Sequence, residues 1–301
     1  RRSLSFLMLV AFDEVFPGSE IFIEHSATTA AGYYCEVRGR RQFTAGELQA
    51  VERRMREIVA DDAPFVRERV SRAEAIAVYE SRGEDDKARL LAHRDRDVLT
   101  LYRLRGRRDY LQGYMAPSTG CLAHFALHAL PTGFMLQFPH QRQPGRLVPL
   151  TPYPKLFAVF EQAGDWLDRL GIRSAGALND AIAGDRIRGV SLVAEALHEG
   201  GIARIASRIA ETRGNVRVVF IAGPSSSGKT TFSKRLAVQL LANGIRPMPL
   251  GLDDYFVDRD ATPRDEKGEY DYETIRALDL DLFGDHLRSL IGGRPTALPH
   301  Y

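Results

Sequence analysis

Apolar positions along the chain change period several times, and those changes predict its elements. Over residues 4–16, Leu4, Leu7, Met8, Ala11 and Val15 recur at helical spacing, and Pro17-Gly18 ends the segment. Residues 20–24 and 32–37 read as strands. Residues 44–60 are helical, with Leu48, Val51, Met55, Ile58 and Val59 on one face, and Thr44 with Glu47 supplies a capping box at the start. Residues 71–79 and 85–93 are expected as further helices. Short apolar segments bounded by turn residues follow at 98–104, 122–130 and 134–138, and the whole half reads as an α+β domain.

Residues 141–154 hold Pro144, Gly145, Pro149, Pro152 and Pro154, which suits a boundary or crossover. Helices are expected next at 155–170 and 191–212, the second striped by Leu192, Val193, Ala196, Leu197, Ile202, Ile205 and Ile209 and closed by Gly214. Residues 216–222 then form a continuous apolar, β-branched run, the pattern of a strand buried on both faces of a parallel sheet. A loop at 223–228, a helix at 229–241 and a second strand at 248–252 complete a βαβ unit. Three segments result: an α+β domain over 1–140, a Pro-rich crossover and helical linker over 141–214, and an α/β domain from 215 to 301.

Composition excludes more than it assigns. The 301 residues are 44% hydrophobic and 27% charged, which rules out wholesale disorder and fibrous architectures. Lys+Arg 41 against Asp+Glu 39 leaves +2, with no overall nucleic-acid footprint. Cys35 and Cys121 cannot form a disulfide framework and read as two buried thiols in a reducing, cytoplasmic setting. The apolar run 6–12 is too short to cross a bilayer, and Asp13 and Glu14 interrupt its faint likeness to a signal peptide. The chain begins at Arg1 without a Met, so a fragment is expected.

The most specific motif is Gly223-Pro224-Ser225-Ser226-Ser227-Gly228-Lys229-Thr230, which fits G-x-x-x-x-G-K-[ST] at every fixed position. Such a loop turns successive backbone N–H groups toward phosphate oxygens, and the helix that starts beside it adds its positive end. Lys229 would bridge the outer phosphates of ATP and the Thr230 hydroxyl would hold Mg²⁺. Residues 223–231 are therefore the expected nucleotide-binding set, Thr231 included. The bland alternative is a tight Ser/Gly turn. Leu252-Asp253-Asp254-Tyr255-Phe256 is expected at the carboxyl end of the second strand, where Asp253 could take a proton from an acceptor hydroxyl; an Asp cap on a turn is the plainer reading.

Taken with Tyr270-Asp271-Tyr272-Glu273 and Pro299-His300-Tyr301, these segments resemble the uridine kinase/phosphoribulokinase family over roughly residues 216–301. The resemblance implies Asp253 as base toward a nucleoside 5′-hydroxyl, Asp271 on the ribose hydroxyls and Tyr301 against the base, with Tyr255 and Phe256 lining the acceptor pocket. The lid arginines and adenine contacts of such kinases would lie beyond Tyr301, so the fragment itself is expected to be inactive.

In the first half, residues 2–7, 32–36, 43–59 and 117–120 look similar to the second additional domain of threonyl-tRNA synthetase, over about residues 1–140. That editing module uses His-x-x-x-His and Cys-x-x-x-His. Laid over this chain, the two patterns fall on Arg2 and Phe6 and on Leu111 and Met115, none of which suits the metal-binding role. The resemblance thus implies the fold without the editing chemistry. Cys121, His124 and His128 have metal-like spacing but lack an evident fourth ligand. The six arginines in 94–108 read as a solvated face or, more sharply, as an RNA-binding remnant.

The leading expectation is an ATP-dependent, uridine-type nucleoside kinase with a nucleoside or similar small-molecule acceptor, using ATP and Mg²⁺, with Lys229 and Asp253 at the reacting groups. The alternatives are a nucleotide-gated regulatory or RNA-binding module and another small-molecule P-loop kinase. Nucleic acid would be met through residues 1–140, no membrane is expected, and a homo-oligomer is left open.

Overall fold

The first apolar run becomes α1 (Arg2–Val15) in a computed structural model that describes residues 1–27, 31–140, 143–151, 153–212, 214–224 and 226–299. Phe6, Leu7, Met8, Ala11 and Phe12 are wholly buried, so this helix runs through the core rather than over it. The chain divides into two units, Arg1–Arg188 and Gly189–Tyr301.

The first unit contains two antiparallel sheets. One has the order β1-β2-β7-β6, built from β1 (Glu20–Ala27), β2 (Gly32–Arg38), β6 (Ala126–Ala129) and β7 (Phe134–Gln137). The other has the order β3-β4-β5, from β3 (Val66–Ser71), β4 (Val98–Leu104) and β5 (Arg107–Asp109). In the first sheet Tyr33 pairs with Leu136 and Cys35 with Phe134, while β1 and β2 slip register between Ile23 and His25. Around these sheets lie α2 (Ala45–Ala60), α3 (Arg72–Glu80), α4 (Asp85–Ala92), α5 (Pro154–Leu170) and α6 (Ala175–Ala183).

Two larger apolar clusters and a small one around Ala27 and Met135 hold the unit. The largest joins α1 and α2 to the four-stranded sheet, with the Phe12 ring centroid 5.0 Å from Phe43 and 5.2 Å from Phe134. The next packs Ala75, Tyr79 and Leu91 against Val70, Leu99 and Leu101 of the three-stranded sheet. The capping box at α2 forms as the spacing predicts: Glu47 N–H donates to Thr44 Oγ1 at 3.3 Å, and Thr44 N–H donates to Glu47 Oε2 at 2.8 Å.

Several expectations need correction. β3, β5 and α6 were not foreseen. Residues 66–71 alternate apolar and charged too weakly to signal a strand, β5 is three residues long, and α6 is short and rich in alanine. Segment 122–130 reduces to the four-residue β6, preceded by a 3-10 turn at Thr119–Cys121. Only Cys35 is buried, whereas Cys121 is exposed.

The second unit contains α7 (Ile187–Glu211), α8 (Lys229–Ala242) and α9 (Leu280–Ile291). Ile202 and Ala206 of α7 pack against Leu236 and Leu240 of α8. The parallel sheet expected here is not formed among the described residues: every sheet strand of the chain is antiparallel, and residues 216–222 and 248–250 carry no ladder. Val216, Val219 and Phe220 are exposed, Phe220 at 70%. An apolar, β-branched run becomes a sheet strand only when neighbouring strands take up its N–H and C=O groups, and no described strand lies beside this one. Residues 252–255, expected at a strand end, form a 3-10 turn.

Candidate functional site

The phosphate loop is built as its glycines require. Gly228 caps α8 with φ 83°, and Ser226 also takes a left-handed conformation at φ 59°. A Cβ on Gly223 would lie 2.7 Å from Ser227 Oγ, so only glycine fits the close approach there. Ser227 N–H donates to the Pro224 carbonyl at 3.2 Å and tightens the bend. Lys229 turns back over it, its Nζ donating to the carbonyls of Gly223 and Pro224 at 2.8 and 3.0 Å. The first N–H groups of a helix have no intrahelical acceptor, so Lys229, Thr230 and Thr231 can present theirs to an anion together with the Lys229 ammonium. Thr230 is exposed and its hydroxyl could reach a nucleotide-bound cation. Ser225 lies outside the described residues.

The expected acceptor residues lie on turns and packed faces of the second unit. Asp253 is exposed, and its carbonyl accepts from Phe256 N–H at 3.5 Å. Asp271 Oδ1 accepts from the Glu273 N–H at 3.1 Å, a local turn contact. Tyr255 is 2% exposed, edge-on to Phe283 with ring centroids 5.1 Å apart, and its hydroxyl lies 3.2 Å from His286 Nδ1. That makes it a packing residue rather than a pocket wall. Phe256 meets Tyr272 edge-on at 6.1 Å. Among the described residues no hydrogen bond or ion pair joins Lys229 or Thr230 to Asp253 or Asp271. Tyr301 lies outside the described residues.

In the first unit a cavity of about 480 Å³ opens at the start of α1, lined by Arg1, Leu4, Cys121, His124, Phe138 and His140 among others. The Arg1 guanidinium sits 4.8 Å from the centroid of the Phe138 ring. Sequence spacing had singled out Cys121 and His124 but not their neighbours, because Arg1 and Phe138 reach the same place only through the fold. Phe6, the second position of the first editing pattern, is sealed in the core with its ring 6.1 Å from that of Phe65. Met115 Sδ receives the Ser3 hydroxyl at 3.9 Å, and Leu111 packs against the same core. These contacts bring α1 beside residues 111–116 through packing and hydrogen bonding. Among the described residues no group of three or more His, Cys, Asp or Glu side chains is placed to hold a metal ion; His128 Nε2 instead lies 2.9 Å from Gln137 Oε1.

The arginine run is not an open cationic face. Arg103 pairs with Glu68 at 2.6 Å, Arg105 with Glu14 at 2.8 Å, Arg107 with Asp13 at 2.7 Å and Arg108 with Glu74 at 2.6 Å. These ion pairs offset much of the positive charge of residues 103–108. No helix among the described residues is long and apolar enough to cross a membrane.

No family model matches the chain. It is similar to proteins named threonine--tRNA ligase. In particular, it is 37% identical over 129 residues to threonine--tRNA ligase of Acidovorax sp. (strain JS42), a match covering 42% of this chain and 20% of the ligase. It is 34% identical over 128 residues to the threonine--tRNA ligases of Delftia acidovorans and Marinobacter nauticus, with the same coverage. The chain thus contains a threonyl-tRNA synthetase-like region and spans about one fifth of the length of the curated relatives it matches. These relatives overturn the expectation of a nucleoside kinase: they are ligases, not phosphotransferases. The roles given to Asp253, Asp271 and Tyr301 toward an acceptor depended on that activity.

Proposed function

We propose that the chain is a synthetase-related RNA-recognition module, whose first unit receives the acceptor end of a tRNA and whose loop at 223–231 holds Mg-ATP. The observation that carries this reading is the similarity to threonine--tRNA ligases over 129 residues. The cavity at the start of α1 supports it. Its volume of about 480 Å³ falls within the usual range for small-molecule sites and suits one nucleotide. The Arg1 guanidinium on the cavity lining supplies a phosphate partner, and His124 on the same lining can donate to one. Editing hydrolysis is not part of the proposal, because Arg2, Phe6, Leu111 and Met115 stand where the editing pattern needs metal-binding side chains.

Fluorescence anisotropy with a labelled acceptor-stem minihelix tests the first part. Binding should tighten at low salt and fall linearly on a log–log salt plot, and Arg1→Glu should weaken it about tenfold, the effect of losing roughly 1.4 kcal/mol. Absence of binding at low salt, or indifference to Arg1→Glu in a folded variant, would overturn the reading. Calorimetric titration with Mg-ATP tests the second part: Lys229→Ala should weaken binding by about 10–100-fold, as expected for a charge-assisted contact worth about 1.5–3 kcal/mol.

A further inference from the structure

A second cavity in the first unit lies between the β1–β2 ribbon and α5, with a volume of about 320 Å³. Its wall is aromatic. The His25 ring stacks on Phe160 with centroids 4.1 Å apart and planes 18° from parallel, and the Tyr34 ring lies 6.2 Å from Phe160. Its floor is a charged network. Arg173 pairs with Glu36 and Asp168 and lies 3.8 Å from Glu24, while Arg38 reaches Glu24 at 3.4 Å and Glu36 at 3.5 Å. Two further carboxylates, Glu161 and Asp165, stand exposed on the lining contributed by α5.

The charges do not balance. On the lining itself one guanidinium, Arg173, faces four carboxylates (Glu24, Glu36, Glu161 and Asp165), and it already pairs with Glu36 and with Asp168 outside the lining. Among the described residues Glu161 and Asp165 make no ion pair. A cavity of this kind repels anions. It also has ring faces, whose negative quadrupole attracts a cation, and planar cations stack on such faces best.

We propose that this cavity binds a small organic cation carrying a guanidine or amine group, held between the aromatic wall and the carboxylates of Glu161 and Asp165. The network below sets the depth: with Arg173 locked against Glu36 and Asp168, the cation stops at the rings and does not replace the guanidinium. Burial pushes the Glu24 carboxyl above its ordinary range despite Arg173 and Arg38 nearby. The site is separate from the RNA reading above, since it uses neither Arg1 nor His124.

The test is titration of the intact chain with agmatine, followed by calorimetry and by ligand-observed NMR. Saturable binding is expected, with no binding of inorganic phosphate. The double variant Glu161→Gln/Asp165→Asn changes exposed side chains that hold no described ion pair, so it should keep the native melting temperature. It should bind agmatine at least tenfold more weakly, and Phe160→Leu should also weaken binding. No saturable agmatine binding, undiminished binding by the double variant, or preference for phosphate would each overturn the proposal. Minihelix binding should be unchanged in the double variant, so failure here is distinct from failure of the RNA reading.

Discussion

Asp109 shows how one side chain can be tied to the whole of the smaller core. Its carboxylate is 3% exposed, accepts from the Tyr79 hydroxyl at 2.9 Å and pairs with Lys87 at 3.0 Å and Arg107 at 3.3 Å. Arg107 in turn pairs with Asp13 and Glu84. Burial by itself would raise the Asp109 pKa, but Lys87 and Arg107 outweigh it and hold the carboxyl below the ordinary Asp range. A depressed folded pKa contributes stability above the unfolded value near ~3.9, and that stability is lost as pH falls through the folded value. Asp109→Asn should therefore destabilise the first unit at neutral pH by about 1–3 kcal/mol, because it removes the buried carboxylate shared by Lys87 and Arg107, both of which keep Glu84 as a partner. Urea unfolding should show the gap to the parent chain narrowing below about pH 4. The sequence shows Lys87 as one of only five lysines, yet its partner 22 residues on is visible only once β5 and α4 are packed.

Among the elements, the β6–β7 hairpin depends on a single glycine. Gly133 has φ 82°, and a Cβ there would lie 2.2 Å from the Cys35 carbonyl oxygen of the neighbouring strand. Its N–H donates to Gln42 Oε1 at 2.7 Å, so the turn is pinned on both sides. Gly133→Ala meets both a disfavoured backbone conformation and a backbone clash. It should lower stability by about 1–3 kcal/mol, seen as a shifted urea midpoint with an unchanged slope. Other elements were plain from the sequence. The α2 helix announces itself through its stripe and through Glu47, whose pKa is held down to about 2 by the Thr44 backbone N–H and hydroxyl. By contrast β3 and β5 give little local signal, since their pairing with β4 rather than their own pattern makes them strands.

For the whole molecule, the two units differ in what holds them. The first has three clusters of buried side chains and two paired sheets, while the second rests on the smaller contact of α7 with α8 and on the turns around Tyr255. Amide exchange should reflect this. Amides of β2 and β7, paired at Tyr33 with Leu136 and Cys35 with Phe134, should be strongly protected, and those of residues 216–222 should exchange orders of magnitude faster. Equal protection of the two sets would mean that residues 216–222 are paired in solution. The kinase expectation failed against the relatives, which are ligases, whereas the glycine-rich motif at 223–230 is local and its contacts form within a few residues.

Local chemistry was legible without the fold. The caps, the apolar stripes of α1 and α2, and a loop whose glycines adopt left-handed or crowded backbone all follow from interactions within a few residues of one another. The sheet pairings, the closing of Arg107 and Lys87 on Asp109, the neutralising of the arginine run and the two cavities were decided only in three dimensions. Each of them joins side chains far apart in sequence. Which partners meet depends on how the packed elements are placed, and no local period records that.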